Sequence, residues 1–148
     1  MRIIRATVLV LLVGACAGPP ATVAPTGNQQ SRTSLTTNPD ITLQTMAVGQ
    51  FELQYAESGS VGKPTVVFIH GTPGSWRSLG RLLANPELQQ QVRLVSIDRP
   101  GWGGSPLLDK DTEGSFAEQV KLIEPLLRRL KNESNDQPLI LVGHSYGA

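Results

Sequence analysis

Gly143-His144-Ser145-Tyr146-Gly147 sets a serine between two glycines near the end of the 148-residue chain. A G-x-S-x-G pattern holds serine on a sharp strand-to-helix turn, so that its hydroxyl stands above a sheet and can attack a carbonyl. Gly143 and Gly147 omit Cβ atoms where backbone crowds backbone. The pattern alone is weak: with 15 Gly in the chain, random order produces about 0.1 matches. Context strengthens it, because residues 139–142 (LILV) supply the strand that the turn requires. Ser145 is the candidate nucleophile.

A tetrahedral intermediate needs N–H donors aimed in advance at its oxyanion. One is expected from the backbone of Tyr146, the residue after the nucleophile, and the other from a loop after the third strand. That loop reads His70-Gly71-Thr72-Pro73-Gly74-Ser75. Thr72 is the candidate second donor, since Pro73 has no N–H. His70 and Gly71 are read as shaping this loop, with a role for His70 as general base kept as the alternative. His144 adjoins Ser145 in sequence, so its side chain is expected to leave the turn in another direction than a base would need. Asp98 and Arg99 are expected to brace the glycine-rich loop 98–105 (DRPGWGGS), with catalysis as the alternative. Trp76 and Trp102 suit either an acyl pocket or core packing.

The elements that must position these residues follow from periodicity. Residues 41–56 alternate around Gly49, which predicts a β-hairpin. The runs 65–69 (TVVFI), 92–97 (VRLVSI) and 138–142 (PLILV) are apolar without alternation, as in strands covered on both faces. Trp76, Leu79 and Leu83 at helical spacing predict a helix over 75–84 that Asn85-Pro86 ends. Ser115 and Glu118 match a capping box, and Phe116, Val120, Ile123, Leu127 and Leu130 form one helical face. Pro125 is expected to kink that helix. The order of strands and helices argues a mostly parallel α/β sheet with helices on both faces.

VVFIHGTPGS, VSIDRPGWGGS and LILVGHSYGA, in that order, resemble the α/β-hydrolase fold family over residues 41–148. The HGTPG form is similar to loops of epoxide hydrolases and proline iminopeptidases. Epoxide hydrolases and haloalkane dehalogenases carry Asp at the nucleophile position. Ser145 therefore implies hydrolysis of ester, amide or C–C bonds. The resemblance also implies an acid and a His after the nucleophile, in the order Ser, Asp or Glu, His. The sequence stops three residues after Ser145. It reads as the front part of an α/β-hydrolase domain, truncated after the nucleophile elbow, with one edge of its last strand expected to lie open.

The first residues read as an address. Arg2 and Arg5 precede an uncharged apolar run at 6–13 (ATVLVLLV), too short for a membrane span but suited to a signal peptide. Val13-Gly14-Ala15-Cys16 resembles the lipobox of bacterial lipoproteins, with Cys16 as the lipid-attachment site. An ordinary cleavage site at Ala15-Cys16-Ala17 and an uncleaved anchor are the alternatives. Residues 1–15 are thus expected to be a signal peptide, and 16–40 a lipid-attachment Cys with a flexible tether rich in Pro, Thr, Gln, Asn and Ser. An irregular arm packed on the domain is the other reading of that stretch. Cleavage removes Arg2 and Arg5, leaving 11 basic against 12 acidic residues, so anchoring must come from acyl chains.

Composition excludes other classes. A net charge of +1 and 5% aromatic residues argue against a nucleic-acid partner. A single Cys excludes an intramolecular disulfide framework and a Cys-rich zinc site. No metal or cofactor is expected. The resulting expectation is an exported, envelope-anchored serine hydrolase acting on a small-molecule ester or related acyl substrate. The alternative is a non-catalytic remnant or a lipid-anchored binding module. Substrate identity and oligomeric state are not encoded in these motifs.

Overall fold

The computed structural model describes residues 40–106 and 115–148. The expected signal peptide, Cys16 and almost all of the tether lie outside the described residues. Five strands form one sheet in the order β1-β2-β4-β3-β5. Strands β1 (Thr42–Val48) and β2 (Phe51–Ser58) make the expected hairpin, with Val48 opposite Phe51. Its two-residue loop carries Gly49 at φ 62°, a left-handed backbone that glycine adopts without steric cost.

The hairpin joins β4 (Arg93–Ile97) through an antiparallel β2–β4 pairing. Strand β4 then runs parallel to β3 (Thr65–Ile69), and β3 parallel to β5 (Leu139–Gly143). The three parallel strands are those whose sequences do not alternate. Every residue of β4 is buried, whereas β5, paired on one side only among the described residues, is half-buried throughout.

Alternate residues of these strands feed two cores on opposite faces of the sheet. On one face Leu53, Tyr55, Val67, Val95 and Ile97 pack with Ile123, Leu126 and Leu130 of the long helix Phe116–Glu133, labelled α3. On the other, Ala56, Phe68 and Leu94 pack with Trp76 and Leu83. Trp76 is a core residue of this second cluster, so of its two expected roles it takes packing.

The segment expected as one helix over 75–84 is built in pieces. A 3-10 turn, Trp76–Leu79, leads into α1 (Gly80–Leu83), and α2 (Pro86–Gln91) follows. Ser75 caps the turn by accepting from the Arg77 N–H at 3.3 Å. Asn85-Pro86 ends one helix, as expected, and also starts the next. The Asn85 side chain accepts from the Glu87 and Leu88 N–H groups at 2.9 and 3.1 Å, with Pro86 in the first turn where its missing N–H costs nothing.

Helix α3 departs from expectation in two respects. Ser115 makes no side-chain cap bond; the Glu118 N–H is taken by the Ser115 carbonyl at 2.9 Å instead. Phe116 and Val120 are 57% and 60% exposed, so the buried face starts only at Ile123. At the N-terminal end of the helix Phe116 stacks on Tyr146, in the turn that follows β5, with ring centroids 4.9 Å apart. The helix continues through Pro125 to Glu133.

Arg93, 4% exposed, ties three elements together. Its guanidinium reaches Glu57 on β2 at 2.5 Å and Glu133 on α3 at 2.6 Å. Burial works to lower its pKa, but hydrogen bonds and charge from Glu133 and Glu57 outweigh burial and hold it above the ordinary value.

Candidate active site

The site lies where the parallel strands β3, β4 and β5 end together, the edge at which open α/β sheets bind ligands. From β3 comes the loop His70–Ser75, from β4 the loop that begins at Asp98, and from β5 the turn holding Ser145. The His144 N–H extends the β3–β5 ladder by donating to the Ile69 carbonyl at 3.0 Å. The chain then breaks sharply. Ser145 has φ 54°, a left-handed conformation rare for a residue with a Cβ, and the 3-10 turn Ser145–Gly147 begins there. Ser145 is exposed.

Glycine is required on both sides of this turn. A Cβ on Gly147 would lie 2.5 Å from the carbonyl oxygens of Ile69 and His70, and one on Gly143 would strike the Gly147 carbonyl and Ala148. The HGTPG loop meets the turn directly. A Cβ on Gly71 would lie 2.9 Å from Ser145 Cβ and 3.0 Å from the His144 carbonyl. Gly71, far from Ser145 in sequence, thus meets it directly, while Gly147 packs on the backbone of Ile69 and His70 and Gly143 on that of Gly147 and Ala148.

His70 is fully buried, and both ring nitrogens are committed. Nε2 accepts the Arg99 N–H at 3.1 Å, so Nδ1 carries the proton and donates to the Gly71 carbonyl at 2.6 Å. Burial pushes its pKa below 6.5, with Arg99 adding to the effect and the Gly71 bond and Asp98 opposing it. A neutral imidazole whose lone pair is already used cannot take a proton from Ser145, so His70 shapes the loop. His144 is exposed. Among the described residues no imidazole hydrogen-bonds the Ser145 hydroxyl.

The expected oxyanion donors, the N–H groups of Thr72 and Tyr146, lie in the loop after β3 and the turn after β5. Thr72 is exposed, and no described group accepts from its N–H; the Thr72–Pro73 peptide is cis. The Tyr146 N–H belongs to the first turn of a helical segment, where N–H groups lack partners within the helix.

Asp98 and Arg99 divide the bracing between them. The Asp98 carboxylate accepts from the Trp76 N–H at 2.5 Å and the Gly104 N–H at 2.8 Å, holding both the 3-10 turn and the glycine-rich loop. Arg99 serves both loops: its carbonyl accepts from the Trp102 N–H of the glycine-rich loop at 2.9 Å, and its side chain braces the HGTPG loop, donating to the Thr72 hydroxyl at 2.5 Å and the Gly71 carbonyl at 3.3 Å. Burial pushes the Arg99 pKa below its ordinary value, against an opposing pull from Tyr146. Trp102 is half-buried and meets His70 edge-on at 6.4 Å, covering the imidazole. The contacts of Arg99 with Thr72 and of Phe116 with Tyr146 had no signal in the sequence. Among the described residues no three His, Cys, Asp or Glu side chains cluster as metal ligands would.

Residues 66–148 match the sequence profile of the Alpha/beta hydrolase family, more than half of the chain. The chain belongs to the alpha/beta hydrolase family. The solved structures that this alpha/beta hydrolase chain resembles bear the names of different activities. An epoxide hydrolase from Vigna radiata superposes with a TM-score of 0.61 at 25% identity, over 73% of this chain and 33% of that one. The thioesterase domain of the curacin biosynthetic pathway superposes with a TM-score of 0.59 at 30% identity, over 72% and 36% of the two chains. A probable 1-acylglycerol-3-phosphate O-acyltransferase from Oryza sativa subsp. japonica is 39% identical over 88 residues, which are 57% of this chain and 20% of the relative. This alpha/beta hydrolase sequence therefore spans about a fifth of that relative and about a third of the solved neighbours. Among its described residues, no helix is long and apolar enough to cross a membrane.

Proposed function

We propose that the chain supplies the nucleophile half of a serine-dependent acyl hydrolase, carried on the cell envelope by a lipid on Cys16. One observation carries the catalytic reading: Ser145 sits exposed at φ 54° at the end of β5, with Gly71 of the HGTPG loop against it. In this reading the Ser145 hydroxyl oxygen attacks the carbonyl carbon of a carboxylic ester or related acyl compound. The hydroxyl proton passes to an imidazole contributed by residues beyond Ala148 and oriented there by an Asp or Glu. The carbonyl oxygen becomes an oxyanion that accepts from the Thr72 and Tyr146 N–H groups. The tetrahedral intermediate expels the alcohol, which takes the proton back from the imidazole. Water then repeats the sequence on the acyl-enzyme and releases the acid.

A serine rather than an aspartate at the turn favours acyl chemistry over epoxide opening. The thioesterase and acyltransferase names among the similar proteins also concern acyl groups. Export and lipid attachment rest on Arg2, Arg5, the apolar run 6–13 and Cys16.

The test uses the protein encoded by the complete reading frame. A fluorophosphonate probe is expected to label Ser145, and p-nitrophenyl acetate to be hydrolysed, with both lost in Ser145→Ala. A folded wild-type protein that neither labels nor hydrolyses overturns the reading and favours a non-catalytic binding module.

A further inference from the structure

We propose that Arg99 is the positioning residue of the oxyanion site, clamping the Thr72 loop and the Tyr146 ring into one geometry from beneath. The inference rests on the reading of Ser145 as nucleophile and names the group that sets its electrostatic partner.

Arg99 is 2% exposed, yet its described hydrogen-bond acceptors are all neutral: Thr72 Oγ1, the Gly71 carbonyl and, at 3.2 Å, Gln119 Oε1. Its Nε is buried without a partner among the described residues. A buried guanidinium held this way is a poor contributor to stability, and an apolar side chain of similar volume would be less costly there. Its geometry points to another task. One Nη atom grips the loop that carries one expected oxyanion donor. The guanidinium also lies 4.9 Å from the ring centroid of Tyr146, whose backbone carries the other, and 5.8 Å from that of Trp102.

The backbone of the same residue completes the clamp. The Arg99 N–H fixes the His70 ring, and that ring donates to the Gly71 carbonyl, the oxygen that Arg99 Nη2 also reaches. Residue 99 therefore holds the loop through two routes, and only the side-chain route touches Thr72 and Tyr146 together. The planar fork is needed because Gln119 and Thr72 are reached by different Nη atoms; a lysine offers a single point of charge.

The experiment uses the protein of the complete reading frame and the variants Thr72→Val, Thr72→Ser, Arg99→Lys and Arg99→Lys with Thr72→Val. Readouts are kcat and KM for p-nitrophenyl acetate, the fluorophosphonate labelling rate, and folding by circular dichroism. Misplacing a donor by less than an ångström is expected to lower kcat about 10-fold to 100-fold while KM stays within about twofold. Thr72→Val and Arg99→Lys should each show this loss, and the double variant should lose little more than Arg99→Lys alone, because that variant already breaks the Arg99–Thr72 contact. Thr72→Ser restores the hydroxyl and should recover most of what Thr72→Val loses. A merely structural role would lower the folded fraction and leave kcat per labelled site unchanged, which overturns the proposal. If Arg99→Lys does not fold, the Thr72 pair decides, because Thr72 is exposed: equal kcat for Val and Ser overturns it. Wild-type protein that does not label at Ser145 removes the reading of the site and this proposal with it; normal labelling with indifferent Thr72 variants removes this proposal alone.

Discussion

Gly71 and Ser145, 74 positions apart, touch so closely that a single added methyl group on Gly71 would lie 2.9 Å from Ser145 Cβ. The contact joins the loop after β3 to the turn after β5 without an intervening side chain. Gly71→Ala must therefore push the loop from the nucleophile or move Ser145 itself. Either displacement is of the size that costs about 100-fold in rate when reacting groups are misplaced. The expected outcome is a loss of that order in fluorophosphonate labelling, with a change in melting temperature of only a few degrees. Labelling at the wild-type rate would show that the loop and turn yield freely.

Stability should fall on acidification through His70. Its pKa in the fold lies below the ordinary 6.5, so the unfolded chain binds more protons than the folded one as pH drops past that value. The contribution is complete above pH 6.5 and is lost as pH falls through the folded pKa. Urea titrations at pH 7.5, 6.5 and 5.5 should show a decline that is shallower in His70→Gln. Parallel declines in the two proteins would assign the acid sensitivity to other groups.

The Arg93 cluster should behave as a staple that is costly to half-break. Glu57→Gln keeps the shape but removes one charge from a guanidinium that is 5% exposed, at an expected cost of about 1–3 kcal/mol. Adding Glu133→Gln leaves the buried guanidinium without either carboxylate and should deepen that loss. Denaturant midpoints of the single and double variants provide the comparison; equal costs would contradict a charge-based explanation.

Processing at the N-terminus is open to mass spectrometry. Expression in a bacterium that matures lipoproteins is expected to give a protein that begins at an acylated Cys16 and sediments with membranes. Cys16→Ser should release it to the soluble fraction. A lipid-free N-terminus at Gly18 would establish ordinary signal cleavage instead.

Much of the fold was legible in local pattern. The alternation around Gly49 became the two strands of the hairpin, and the apolar runs at 65–69, 92–97 and 138–142 each became a strand with ends within one residue. The helical segments were less legible. Trp76, Leu79 and Leu83 marked a buried face but not the change from a 3-10 turn to α1, since both place residues three and four apart on one side. Phe116 and Val120 fitted the helical face of Ile123 and Leu130 by spacing, yet both stay exposed among the described residues, and Phe116 stacks on Tyr146 instead of entering the core. Periodicity tells which side of a helix is apolar, not how far its partner extends.

The sequence by itself determined the order of strands and helices, the glycines of the turn after β5, and the serine between them. It did so because a Cβ-free turn and an apolar strand are local requirements, met or unmet within ten residues. Only the tertiary structure decided that β4 lies between the hairpin and β3, that both nitrogens of His70 are spent on backbone groups, and that the Arg99 side chain reaches across to Thr72. Apart from the bond between the neighbours His70 and Gly71, these are pairings across 27 residues or more, and no local pattern encodes them. They arise when parallel strands bring their C-terminal ends to one edge and a buried polar group takes whichever partner the packing leaves within reach.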